Sequence, residues 1–139
     1  MSAYKIITES EQETMNAAMS LAAKSGVIIA LDGPLGAGKT VFARGLARSL
    51  GIREHITSPS YSIVNVYQAG DITFNHFDMY RIASEDDFLS LDFADYTGSH
   101  SICLIEWFEN VRDYISEDII RVIIEPKGEN VREIFIINN

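Results

Sequence analysis

The chain has 139 residues, 47% hydrophobic and 22% charged, which suits a single domain over residues 1–139 with an ordinary core. A net charge of −9 argues against strong direct nucleic-acid binding, and no apolar run approaches the roughly 20 residues of a membrane span. One cysteine, Cys103, leaves no internal disulfide, and MSAYKIITESEQE lacks a basic-then-apolar signal layout, so a cytoplasmic protein is expected.

TyrLysIleIle (4–7) reads as a first strand. Thr8 with Glu11, or Ser10 with Glu13, can form a capping box that opens a helix. Met15, Ala18, Met19 and Ala22 recur there at helical spacing, and Gly26 is a stop signal. VIIAL (27–31) has the all-apolar character of a strand buried on both faces. A Gly-rich loop follows, then a helix from about Lys39 to Leu50, with Phe42, Leu46 and Leu50 on one side and Gly51 at its end. YSIVNVY and ITFNHFDMY read as strands around the turn AGD. Ser84 starts a helix whose first turn holds Glu85, Asp86 and Asp87, where acids suit the helix dipole; its apolar residues are Phe88, Leu89 and Leu91. SICLIEW is a second buried-type strand, in which Cys103 is expected as a core thiol. IIRVIIEP and VREIFIIN flank KGEN as a C-terminal β-hairpin. The order implies an α/β fold with a mixed central sheet.

GPLGAGKT (33–40) fits the phosphate-loop pattern in full, and it has the required strand before it and helix after it. Gly33, Gly36 and Gly38 let backbone N–H groups, with those of Leu35 and Ala37, close around phosphate oxygens. Lys39 supplies a point charge to the outer phosphates, Thr40 a hydroxyl for Mg²⁺, and the helix start a positive dipole end. Such a site needs an acid at a strand end. Glu106 follows the more apolar run and is assigned to Mg²⁺; Asp78 is then the candidate for orienting or deprotonating the attacking water. In TSPSYS, Pro59 holds Ser58 extended, so Thr57, Ser58, Ser60 and Ser62 sit where a switch segment would reach phosphate, metal or water. His55 and His76 have no third ligand at zinc spacing, and His76 is expected to be a hydrogen-bonded structural residue. No N/T-K-x-D segment reads guanine, which favours ATP over GTP. Arg81 is the one arginine near a proposed acid, as a phosphate contact or an ion-pair member. Without a clear arginine finger, hydrolysis by the isolated chain should be slow.

With these residues placed, the chain resembles the TsaE (YjeE) family, bacterial P-loop ATPases of tRNA threonylcarbamoyladenosine formation. GPLGAGKTVFARGLARSLG, ITSPSYSIVNVY, HFDMYR and ICLIEW carry the resemblance, in the family's order and over nearly the whole chain. It implies a three-layer P-loop NTPase fold. It also implies a Mg²⁺-dependent ATPase that works with TsaB and TsaD to modify adenosine 37 of tRNAs reading ANN codons, meeting tRNA only through those partners. By position, Lys39 and Thr40 serve phosphate and metal, Glu106 serves metal, and Asp78 and Trp107 are linked to activity. Glu11 and Arg132 are expected near the nucleotide. Trp107, with Thr57, Ser58 and Ser60, is a candidate switch or partner contact. Pro34, Phe108 and Ser60 depart from the family pattern without removing a catalytic group. Two other readings stay open: a P-loop kinase acting on a small molecule, with few arginines for a lid, and a nucleotide sensor that does not hydrolyse.

Overall fold

The computed structural model describes residues 2–21, 25–59 and 62–138. In chain order the elements are β1 (Ser2–Thr8), α1 (Glu11–Leu21), β2 (Ile28–Asp32), α2 (Lys39–Ser49), β3 (Val64–Ala69), β4 (Ile72–Asp78), α3 (Glu85–Leu89), β5 (Ser101–Glu106), β6 (Ile120–Pro126) and β7 (Arg132–Asn138). Short 3-10 turns cover Phe93–Tyr96, Phe108–Asn110 and Arg112–Tyr114.

All seven strands join one sheet in the order β1-β7-β6-β2-β5-β4-β3. The block β6-β2-β5-β4 is parallel. The flanking pairs β3–β4, β6–β7 and β1–β7 are antiparallel, so the sheet is mixed and ends in the expected hairpin. Parallel strands covered on both faces can be apolar throughout, and Ile28, Ile29, Ala30 and Leu31 of β2 are all buried. Alternation sends Ile29 and Leu31, like Ile102 and Leu104 of β5, into the core under α1 and α2. Ile28, Ala30, Cys103 and Ile105 point to the opposite core, with Phe77, Phe88, Phe93 and Phe108. That second layer is built from the five-residue α3 and the 3-10 turns.

Ser10 is the residue that caps α1: its Oγ accepts from Glu13 N at 3.1 Å. The alternative box on Thr8 does not form, because Thr8 Oγ1 pairs with Thr14 Oγ1 at 2.8 Å, tying β1 to α1. The buried face of α1 is Thr14, Ala17, Ala18 and Leu21, whereas Met19, expected inside, is exposed. Packing on α2 explains the rotation. A Cβ on Gly45 would lie 2.6 Å from Met15 O and 3.0 Å from Ala18 Cβ, so the helices touch at backbone distance along that line. Ala22 lies outside the described residues. Of the apolar residues expected in α3, Phe88 is buried and Leu89 is exposed, as one turn can aim only a single side chain inward. β3 begins at Val64 rather than Tyr61, and Tyr61 is also outside the described residues. Cys103 is buried; burial pushes its thiol up to about 11.

Candidate phosphate-binding site

β2 and β5 run parallel and side by side, so Asp32 and Glu106 end at the same edge of the sheet. Ligands of open α/β sheets bind at the carboxyl ends of such strands. The loop 33–38 leaves β2 there and α2 starts at Lys39. Gly36 (φ +80°) and Gly38 (φ +106°) take left-handed conformations that fold the backbone back on itself. Gly33 is required by contact: a Cβ there would sit 2.7 Å from Ile124 O of β6. Arg132, at the start of β7, braces the loop from outside. Its Nε donates to Ala37 O at 2.7 Å and its Nη2 to Gly36 O at 3.3 Å. Nη1 donates to Gly128 O and Val131 O, anchoring the guanidinium to its own hairpin turn.

The loop opens on a cavity of about 460 Å³. Leu35, Gly36, Gly38, Lys39, Thr40 and Val41 line one side, Ser10, Glu11 and Thr14 another, Ser58 and Glu106 a third, and Glu129, Asn130 and Arg132 close it. Glu106 is the best specified group in it. One carboxylate oxygen, Oε2, receives His76 Nε2 at 2.7 Å and Ser58 Oγ at 3.0 Å. The other, Oε1, lies 3.6 Å from Lys39 Nζ. Burial by itself would raise the pKa of Glu106. The His76 hydrogen bond and charge, the Ser58 hydroxyl and Lys39 outweigh it, so the carboxyl sits below its ordinary 4.5 and is ionised at neutral pH. His76 is buried, and among the described residues its Nδ1 has no hydrogen-bond partner. The arrangement therefore offers an anion cradle of backbone and lysine beside a fixed carboxylate. Thr40 and Glu106 both reach the cavity, and two oxygen ligands from protein suit Mg²⁺, which keeps waters and takes the rest from phosphates.

Lys39, Thr40, Glu106, Leu35, Gly36, Gly38 and Ser58 thus converge as read from the sequence, and Glu11 and Arg132 also line the cavity. Ala37 is buried behind the loop, its N bonded to Pro34 O at 3.0 Å. Asp78 stands in register with Glu106 on the adjacent strand, but its Oδ1 accepts from Tyr80 N at 3.0 Å. Its side of the turn faces a separate hollow of about 100 Å³ shared with Pro59, Ser62, Ile63, Tyr80 and Arg81. Arg81 accordingly stands with Asp78 and away from the phosphate loop. Thr57 contributes its carbonyl to Asn65 Nδ2 at 3.1 Å. Ser60 lies outside the described residues. Trp107 is 43% exposed and meets Tyr80 edge-on, ring centroids 4.8 Å apart. Sequence reasoning did not bring His76 to the site. Its parity with Phe74 on β4 and that of Glu106 with Leu104 on β5 place both on the α2 side of the sheet, which is legible only once β4 and β5 are known to be neighbours. Glu129 and Asn130 sit in a polar turn with no motif to mark them.

The family model described as "Threonylcarbamoyl adenosine biosynthesis protein TsaE" matches residues 8–134. The tRNA threonylcarbamoyladenosine biosynthesis protein TsaE of Bacillus subtilis is 35% identical over 131 residues, covering 94% of this chain and 82% of that one. The protein of the same name from Treponema pallidum is 37% identical over 113 residues, covering 81% and 83%. Among solved structures, Bacillus subtilis YdiB aligns with a TM-score of 0.72 and 31% identity over 97% of this chain and 84% of that one.

Proposed function

The chain belongs to the TsaE family of threonylcarbamoyl adenosine biosynthesis proteins, and from that premise we propose that it is a cytoplasmic, Mg²⁺-dependent ATPase. In this reading it supports threonylcarbamoylation of adenosine 37 in tRNAs reading ANN codons, together with TsaB and TsaD. The observation that carries the ATPase reading is the Glu106 carboxylate, held by His76 and Ser58 on one oxygen and facing Lys39 with the other, at the rim of a complete phosphate loop. Bound Mg-ATP would supply the γ-phosphoryl electrophile and the charge that polarises it.

The chain's own groups divide the remaining work. Glycines 36 and 38 and the start of α2 turn N–H groups toward phosphate oxygens. Lys39, now 3.6 Å from Glu106, would turn to the outer phosphates, and Thr40 and Glu106 would hold the metal. Arg132 holds the loop carbonyls of Gly36 and Ala37, and its bond to Ala37 O sets the N–H of Gly38 on the opposite side of that peptide. Asp78, in register with Glu106 and with Oδ1 taken by Tyr80 N–H, is the group assigned to orienting the attacking water through its second oxygen. No described arginine outside the loop brace enters the cavity, which supports slow turnover alone and activation by partners. A net charge of −9 supports leaving tRNA contact to those partners. Phosphate release from ATP is measured for the chain alone and then with TsaB and TsaD added. A low basal rate that rises with both is expected; a rate those proteins leave unchanged refutes the partner-dependent reading.

A further inference from the structure

The turns that follow β4 and β5 start directly after Asp78 and Glu106, the last residues of those strands, and they are tied together at several points. Met79 N donates to Glu106 O at 3.0 Å. Asn110, at the end of the 3-10 turn after β5, sends its side-chain amide to two carbonyls of the other turn, Met79 O at 3.0 Å and Tyr80 O at 3.2 Å. Its backbone N closes the turn on Trp107 O at 3.1 Å. Between these ties lies Trp107, whose φ of +60° is left-handed, a conformation disfavoured for a bulky side chain. Such a conformation persists only when its surroundings hold it. Tyr80, edge-on to the indole, and Asn110, bracketing the turn, are those surroundings.

From this geometry we propose that Asn110 is a positioning residue. Its amide clamps the Asp78–Tyr80 turn to the Glu106–Asn110 turn, fixes the left-handed backbone at Trp107, and so keeps Asp78 and Glu106 in one relation across the strand ends. The proposal deepens the ATPase reading and rests on it for its effect on turnover; the clamp itself is independent of it. A side-chain amide is what this place requires. Both acceptors are backbone carbonyls, so the group must bring two N–H bonds from one atom, and Asn does so with a short, stiff arm. Aspartate has the same shape with no N–H and would set a carboxylate against two carbonyl oxygens.

Trp107 is the only tryptophan in the chain, so its emission reports on the clamp without any nucleotide. Asn110→Asp and Asn110→Ala are compared with the parent chain by emission maximum, acrylamide quenching and thermal unfolding, then by affinity for a fluorescent ATP analogue and by kcat with TsaB and TsaD present. In both variants the emission is expected to shift to the red and quenching to rise about twofold or more. Nucleotide affinity should stay within about twofold, because the phosphate loop is untouched, while kcat falls about tenfold, the size of one lost hydrogen-bond set. Alanine leaves room for water on the carbonyls and should be the milder change. Unaltered emission and quenching in Asn110→Asp overturn the clamp, whatever turnover does. Altered emission with unaltered kcat overturns the positioning role. A parent chain that neither binds nor hydrolyses ATP refutes the ATPase reading and leaves the emission test of the clamp standing.

Discussion

Replacing Glu106 with glutamine separates the charge of that residue from its shape. Both structural hydrogen bonds, from His76 and Ser58, fall on the single oxygen Oε2, so the glutamine carbonyl can take them unchanged and its NH₂ then faces Lys39. What is lost is the attraction between Oε1 and Lys39 Nζ at 3.6 Å. Its gross Coulomb energy is about 4–5 kcal/mol at an effective dielectric of about 20. Most of that is offset by the cost of holding a carboxylate in a buried place and by the partial exposure of Lys39, leaving about 1 kcal/mol net. Urea unfolding of Glu106→Gln at pH 7 should therefore lie within about 1 kcal/mol of the parent. Affinity for ATP without metal should be equal or a few-fold tighter, since Lys39 no longer has a carboxylate to leave. Mg²⁺-dependent phosphate release in the presence of TsaB and TsaD should fall at least ~100-fold. The stability gap also has a pH signature. Because the folded carboxyl sits below 4.5, its contribution is complete above that pH and is lost as pH falls through the folded value. The parent and the variant should thus converge in acid. Undiminished turnover removes Glu106 from the metal role, and a loss of more than about 3 kcal/mol refutes the division of its two oxygens.

Arg132→Lys removes the fork that holds Gly36 O and Ala37 O while keeping the charge; ATP affinity by analogue titration should weaken roughly tenfold, with stability reduced by about 1 kcal/mol. If charge alone mattered, lysine would restore binding. In Gly45→Ala the added methyl meets the Met15 backbone at 2.6 and 2.8 Å, where no flexible side chain can yield. Separation of α1 and α2 should cost about 2–3 kcal/mol, seen as a lower Tm. Cys103, buried and with a thiol raised to about 11, should resist Ellman's reagent at pH 8 in the folded chain and react at once in urea.

Much of this architecture was legible in one dimension because its causes are local. The phosphate loop is a contiguous pattern whose glycines, lysine and threonine are each demanded by backbone geometry or charge, and its neighbours VIIAL and VFARGL announce a buried strand and an amphipathic helix. Ser84 capping α3 and KGEN turning the hairpin are likewise short-range matters. The periodic apolar residues of α1 allow more than one stripe, and backbone contact with Gly45 selects the one that buries Ala18 and leaves Met19 exposed. What tertiary structure alone decided is the wiring of the site. His76 meets Glu106 only because β4 and β5 pair in parallel; Arg132 braces a loop 95 residues earlier in the chain; Asn110 finds the carbonyls of Met79 and Tyr80 across two turns. Each is a contact between segments whose sequences carry no mark of the other. Strand order places them within reach, and strand order is set by how the whole sheet buries both of its faces.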